Sequence, residues 1–257
     1  MNIEQTARHL IEAEQTGKPA RFLSENEHFS EKDAYKIQHT LIEEKYRQQG
    51  ASPYGYKISM TSPQTQALAD TDEPAYGTLM DKNISLGSAA ISLSDMNEPL
   101  LEPELVFSFD SDLSASPTTE EVVSKGTLHA AIEIPDSRFK RWFPHFELRD
   151  LISDNAFTGR VITGKEGIPA DRCAIDDITM TLEHNGMCIG EGHSTVVMGN
   201  PVLSVKWLAE KLSQHGKTIR KGMLVSSGTL IPPVKLEEGL FTAAFSTGQK
   251  VSVHVTA

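Results

Sequence analysis

From Pro53 onward the chain is written in short apolar runs cut by Gly, Pro, Asn and Asp. That texture limits the fold more than any other feature, because a chain interrupted this often makes strands and turns rather than long helices. The spacing predicts strands over 55–60, 99–109, 128–134, 158–163, 174–183, 187–198, 222–227, 240–246 and 250–256. His184-Asn185-Gly186 joins two of these as a tight hairpin, since Asn-Gly suits a type I′ turn. One helix breaks the series, from Pro201 to His215, with Val202, Val205, Leu208, Ala209 and Leu212 on one face and Gly216 at its end. Before Pro53 the period is helical. Ile3, Ala7, Leu10, Ile11 and Ala13 mark a helix over 3–16; Ala34, Ile37, Leu41, Ile42 and Tyr46 mark another over 31–49. Ser30 with Asp33 three positions on is a near capping box, and Gly50 is the stop. The expectation is an α+β protein. A helical part with one lysine-bearing strand fills residues 1–78, and a β-rich domain fills 79–257.

Charge narrows the partners. Against 24 Lys+Arg stand 35 Asp+Glu, a formal net charge of −11, which repels a nucleic acid backbone. No stretch approaches the roughly eighteen consecutive apolar residues of a membrane span. The start, MNIEQTARHLIEAEQTG, lacks the apolar region of a signal peptide, and two cysteines make no disulfide framework. A soluble, cytoplasmic globular protein is expected, and the open question is where the excess negative charge sits.

Leu101-Glu102-Pro103-Glu104-Leu105-Val106-Phe107-Ser108-Phe109 gives part of the answer. Alternation along a strand puts Leu101, Pro103, Leu105, Phe107 and Phe109 on one face and Glu102 and Glu104 side by side on the other. Neighbouring same-face positions are about 7 Å apart. Two like charges at ~4 Å repel by roughly 4 kcal/mol at an effective dielectric near 20. Either that face is in water, or a hard cation with oxygen ligands relieves the repulsion. Glu133 lies in the apolar run Ala130-Ala131-Ile132-Glu133-Ile134, where a carboxylate is costly unless paired. Arg138 or Lys57 is its candidate counter-charge; alternatively it completes a three-carboxylate site suited to Mg²⁺ or Mn²⁺. Lys57 stands in the mostly apolar Tyr54-Gly55-Tyr56-Lys57-Ile58-Ser59-Met60. It reads either as a lysine snorkelling from a strand edge or as a buried amine whose neutral form acts as a general base.

Taken together these segments resemble the 2-hydroxypenta-2,4-dienoate hydratase and 4-oxalocrotonate decarboxylase family, within the fumarylacetoacetase-like superfamily. The likeness runs over nearly the whole chain. It rests on Asp33-Ala34-Tyr35-Lys36-Ile37-Gln38, GYKISMTS at 55–62, EPAYGTLMD at 73–81, LLEPELVFSF at 100–109 and EIPDSR at 133–138. Asp154-Asn155-Ala156, Gly199-Asn200-Pro201 and Ser227-Gly228-Thr229 follow in the family's order. The resemblance implies a mixed β roll or sandwich with helices outside it and a homo-oligomer. It implies Mg²⁺ or Mn²⁺ on Glu102, Glu104 and Glu133, a small 2-oxo or 2-hydroxy acid chelating that ion, and Lys57 moving the proton. Gly228 and Thr229 would face the substrate carboxylate. Arg138 is either a carboxylate clamp or a structural ion pair. The implied activity is a lyase hydrating a 2-hydroxydienoate to a 4-hydroxy-2-oxo acid. A 2-oxo acid decarboxylase, or a binding protein that has lost turnover, is the alternative.

Two substrate-side positions depart from the family. Eighteen residues after Lys57 the hydratases generally carry an aspartate, where this chain has Ala75; the decarboxylases tend to be apolar there. Phe157 replaces the usual serine after Asp-Asn-Ala, and Phe139 to Leu148 is an insertion-like stretch unlike the decarboxylases. Other motifs carry less. Cys173, His184, Cys188 and His193 match no compact zinc spacing, and Cys188 reads as an inert thiol in an apolar strand. Gly190-Glu191-Gly192 lies within a strand pattern and reads as a bulge, and Ser194 lacks a nucleophile-elbow context. Ser226-Ser227-Gly228-Thr229 reads as a loop presenting donors.

Overall fold

A computed structural model describes residues 1–25 and 28–257. Helix α1 (Ile3–Thr16) starts where the Asn2 side chain accepts from the Gln5 amide, and it ends at Gly17 in the left-handed region. Helix α2 (Glu31–Gln49) carries the Ser30/Asp33 capping box and stops at Gly50, φ 63°. The two pack on each other through Ala7, Leu10, Ile11, Ile37 and Leu41, all buried. Shorter helices follow: α3 (Pro63–Leu68), α4 (Thr119–Lys125) and α5 (Leu148–Ser153), then the long α6 (Pro201–Gln214).

Among the described residues the strands form a nine-stranded and a five-stranded sheet. The larger is built from β1 (Pro53–Ser59), β2 (Ala75–Met80) and β3 (Ile84–Leu86) and, after β4 (Ala89–Ser92) in the sequence, from β5 (Leu100–Phe109), β6 (Gly126–Ile134), β7 (Arg160–Thr163) and β8 (Ile168–Pro169). Strands β9 (Thr179–His184) and β10 (Met187–His193) belong to the smaller sheet; β11 (Leu224–Thr229) and β12 (Val234–Lys235) return to the larger; β13 (Gly239–Phe245) and β14 (Lys250–Thr256) complete the smaller. The larger sheet runs β2-β1-β11-β5-β6-β7-β3, with β12 beside β5 and β8 beside β6. The smaller runs β10-β9-β13-β14-β4. Pairs β1/β11, β3/β7 and β14/β4 are parallel and the rest antiparallel, so both sheets are mixed.

Strands β13 and β14 pack over β6, which places the main core between the sheets. The apolar face of β5 (Leu101, Leu105, Phe107, Phe109) is buried there with Leu128, Ala130, Ile132, Phe241 and Val253. Each large side chain fully buried in this way contributes roughly 1.5–3 kcal/mol. The opposite face of the larger sheet holds a second, smaller apolar cluster of Leu79, Val106, Ala131, Val161 and Leu224. Cross-strand partners share a face. Val161 is opposite Glu133, Ala131 opposite Glu104, and Ser226 opposite both Lys57 and Val106. The candidate polar residues therefore lie on the same face as this cluster.

Several boundaries differ from the sequence reading. The strand expected over 174–183 starts only at Thr179, because the polar pair Asp176-Asp177 closes a 3₁₀ turn over Ile175–Asp177. The strand expected over 187–198 ends at His193, where Ser194–Val196 turns. The hairpin is as expected, with φ 51° at Asn185 and 78° at Gly186. Register slips between Cys188 and Gly190, which is the bulge. Strand β2 was not anticipated: all six of its residues are buried, so it has no polar alternation to betray it.

Candidate active site

Strand pairing assembles the acidic cluster. On β5, Glu102 and Glu104 are two apart; on β6, Glu133 is directly opposite Glu102. One carboxylate oxygen from each lies within 4.8 Å of the others. Glu104 and Glu133 are buried and Glu102 is half-buried. The Ser226 hydroxyl donates to Glu104 Oε2 at 2.6 Å, and the Gly228 amide donates to the same oxygen at 3.0 Å. Glu133 Oε2 has no hydrogen-bond donor among the described residues. A buried carboxylate oxygen without a donor is costly, and a cation is what would satisfy it. The donor set is all oxygen and carries three negative charges once every carboxyl is ionised, which fits Mg²⁺ or Mn²⁺.

Lys57 enters from β1. Its Nζ lies 2.9 Å from Glu133 Oε1 and donates to Ser59 Oγ at 2.7 Å and to the Ala156 carbonyl at 2.8 Å. Only 2% of the residue is exposed, so it does not snorkel. Burial drives its proton off, as expected from its apolar setting, but Glu133 and then Glu102 outweigh burial and hold its pKa above the usual lysine value. The shift is opposite in direction to the one that the neutral-base alternative for Lys57 requires of the protein without a cation. The carboxylates respond in turn. Burial, then the charge of Glu133, pushes Glu102 up to about 7, and Lys57 pulls against them. Burial, then Glu133 and Glu102, raises Glu104 well above the carboxylate range. Burial raises Glu133, with Lys57 opposing.

A left-handed turn braces the lysine. Asn155, Ala156 and Phe157 have φ of 53°, 51° and 54°. Left-handed backbone is disfavoured for residues with a Cβ and least so for Asn. Asn155 binds β2 twice, accepting from the Thr78 amide at 2.7 Å and donating to the Thr78 carbonyl at 2.8 Å. Gly77 permits this approach, since a Cβ there would meet the Asn155 carbonyl oxygen at 2.3 Å. Asp154 accepts from the Ser137 hydroxyl and the Arg138 amide, each at 2.9 Å, and pairs with the Arg138 guanidinium. The turn thus aims the Ala156 carbonyl at Lys57 and sends Phe157 into a cavity above the carboxylates. Trp142, Phe143, Phe146, Leu151 and Leu68 form the rest of the far wall. Phe157 meets Trp142 and Phe146 with ring centroids 4.8 and 5.1 Å away.

The structure brings Lys57, Glu102, Glu104, Phe157 and Thr229 to one cavity, with Glu133 beneath. Other sequence candidates lie elsewhere. Arg138 is in the structural ion pair that was one of its two readings: Asp154 and the Thr158 carbonyl take its guanidinium, and it is not among the residues that line this cavity. Gly228 turns its amide to Glu104 rather than to open space; its φ of 120° and the 2.2 Å approach of a Cβ to Thr61 Oγ1 require glycine. Thr229 lines the cavity, but its hydroxyl donates to the Ile231 carbonyl at 2.7 Å. The Ser226–Thr229 stretch is strand β11 with a register slip, not a loop. Ala75 is fully buried and pairs with Ser59, on the face that carries Lys57.

The set Cys173, His184, Cys188 and His193 does not converge: the glutamate triad is the one group of three or more potential ligands among the described residues. His184 stacks on Phe241 at 4.1 Å, and His193 faces Asp177. Cys188 is exposed on a largely exposed strand, a correction to its reading as a thiol in an apolar strand. Ser194 is buried and accepts from the Ile178 amide. Sequence reasoning missed Ser59, whose position two residues from Lys57 on one strand was signal enough. It also missed the Ala156 carbonyl, for which backbone atoms leave no signal.

No profile of a known protein family matches the chain. Individual proteins do. The 2-keto-4-pentenoate hydratase of Paraburkholderia xenovorans (strain LB400) is 32% identical over 240 residues, 92% of this chain and 88% of its own. The structure of 4-oxalocrotonate decarboxylase from Pseudomonas putida G7, complexed with magnesium and adipate, superposes with a TM-score of 0.92 at 23% identity, covering 99% of this chain and 97% of that one. Fumarylpyruvate hydrolase from Pseudomonas aeruginosa, in complex with Mn²⁺ and pyruvate, superposes at 0.63 with 15% identity, over 80% of this chain and 90% of its own. The two superpositions identify the fold.

Proposed function

The chain belongs to the 2-keto-4-pentenoate hydratase and 4-oxalocrotonate decarboxylase family, in the fumarylacetoacetate hydrolase-like superfamily, and on that premise we propose that it hydrates a small 2-hydroxydienoate to a 4-hydroxy-2-oxo acid. The observation that carries this reading is the Glu102/Glu104/Glu133 cluster with Lys57 Nζ 2.9 Å from Glu133, at the foot of a cavity. The three glutamates would hold Mg²⁺ or Mn²⁺, as the magnesium and manganese complexes of the two structural relatives encourage. When bound, the ion supplies a Lewis acid for the substrate's carboxylate and C2 oxygen.

The chain's own residues do the rest. Ser226 and the Gly228 amide fix the orientation of Glu104. The charges of Glu133, Glu102 and Glu104 are what hold the proton on Lys57 against burial. Once their charge is taken up, that support weakens and the amine comes into range for proton transfer. Lys57 then moves a proton from the C2 hydroxyl side to C5, giving a conjugated 2-oxo-3-enoate. Water adds at C4, a proton is delivered to C3, and the net change is one water added. Ser59 and the Ala156 carbonyl hold Nζ in place throughout.

Ala75 favours a second reading, loss of CO₂ from a 2-oxo acid. Its partner across the strands is Ser59, so the carboxylate that the hydratases carry there would have stood beside Lys57. The test compares loss of 2-hydroxypenta-2,4-dienoate absorbance with CO₂ release from 4-oxalocrotonate, both with Mg²⁺. Faster hydration is expected. Decarboxylation alone would replace the first reading with the second, and metal binding without either turnover would leave a binding protein.

A further inference from the structure

The far wall of the cavity has a chemical bias that the metal end does not explain. Beyond Lys57, Glu102 and Glu104 no charged side chain among the described residues lines it. Lys57 is already committed to Glu133. Arg138, the carboxylate clamp that the sequence offered, is engaged by Asp154 and Thr158. Two polar groups of the wall are already engaged: the Trp142 indole N–H donates to the Glu98 carbonyl at 2.9 Å, and the Thr65 hydroxyl donates to the Ser62 carbonyl at 3.0 Å. Trp142, Phe146 and Phe157 are each nearly inaccessible and packed ring against ring, a wall preformed for an apolar group. A carboxylate placed there would be stripped of water with no cation to meet it.

Resting on the reading of this cavity as a 2-oxo acid site, we infer that the substrate is a monocarboxylate whose far end is a small uncharged alkyl or aryl group. Trp142, Phe146 and Phe157 select it, and dicarboxylic 2-oxo acids are refused. Charge at the far end, not chain length, is what the wall reads.

Calorimetric titration of the Mg²⁺-loaded protein with 2-oxohexanoate and with 2-oxoadipate tests this, because the pair differ only in a terminal methyl against a terminal carboxylate. Binding of 2-oxohexanoate at least tenfold tighter is expected. Equal binding, or preference for 2-oxoadipate, overturns the inference while leaving the 2-oxo acid site standing. Failure of both to bind, with Mg²⁺ bound, overturns the site and the inference together. An apolar wall also eases loss of a carboxylate as CO₂, so release of CO₂ from a dicarboxylic 2-oxo acid at a rate matching hydration of an alkyl-substituted 2-hydroxydienoate would likewise overturn it. In Phe146→Arg the added cation should narrow the preference at least fivefold with Mg²⁺ binding intact. An unchanged ratio in a variant that still binds Mg²⁺ removes the aromatic wall as the selector, and the wild-type comparison stands whether or not that variant folds.

Discussion

Lys57 sits where burial and charge oppose each other, and charge wins only because three glutamates face it. Sequence alone picked out the three carboxylates that the fold brings together but gave Glu133 two candidate partners. Strand geometry chooses Lys57, since β1 and β6 project onto one face, while Arg138 lies past the end of β6 beside Asp154. The pairing has a price that Lys57→Met exposes. Without the ammonium, a buried Glu133 loses the charge that opposes its burial, so its carboxyl is pushed further up, and removing one partner of a buried pair costs about 3–5 kcal/mol. Urea unfolding of metal-free Lys57→Met is therefore expected to show a loss of about that size, with Mg²⁺ recovering most of it. Turnover should fall by roughly 10²–10⁴-fold, the usual contribution of a positioned acid–base group. A variant as active as the parent would take Lys57 out of the proton transfer.

At the scale of elements, the turn over 154–157 does what no strand does: it ties β2, the end of β6 and the lysine together. Asn155 suits the left-handed conformation and makes two buried hydrogen bonds to Thr78. Asn155→Ala forfeits both and puts an alanine at φ 53°, so urea denaturation should show about 2–4 kcal/mol less stability. Turnover should drop, because the Ala156 carbonyl drifts from Nζ, while Mg²⁺ affinity stays within a fewfold; unchanged turnover would show that the brace is only structural. The long elements were legible in sequence for reasons visible in the structure. Helices α1, α2 and α6 have one buried face and explicit caps, and β5 alternates. What escaped notice was either buried on all sides, like β2, or short, like the strands β3 and β4 and the helices α3 and α5. The carboxylate site was legible because it is written in alternation, two residues apart on one strand and within an apolar run on the next. The far wall was not, because Trp142, Phe146 and Phe157 meet only through the tertiary fold.

For the whole molecule, the site is closed by β1, β5, β6 and β11, segments far apart in sequence, so no part of it exists before the larger sheet forms. The net charge of −11 thereby acquires a location: three of the negative charges converge at the point where that sheet is completed. A divalent ion binding only the folded state adds about 2.7 kcal/mol at one hundred times its Kd, or roughly 5–10 °C in Tm for a chain of this size. The pH dependence has a definite sign. Glu102 titrates near 7 in the metal-free fold, above its ordinary 4.5, so the folded state binds the extra proton. Metal-free stability from this group is present below 4.5 and is lost as pH rises through about 7; Glu104, raised by the same causes, pushes the same way. Mg²⁺ displaces that proton, so its affinity should weaken about tenfold from pH 8 to pH 6, and a stabilisation of about 2.7 kcal/mol should shrink to about 1.4. Thermal melts with Mg²⁺ and with a chelator at the two pH values measure this directly. A metal-induced shift equal at both, or larger at pH 6, would mean that the ion does not compete for the Glu102 proton and that the triad is not its site.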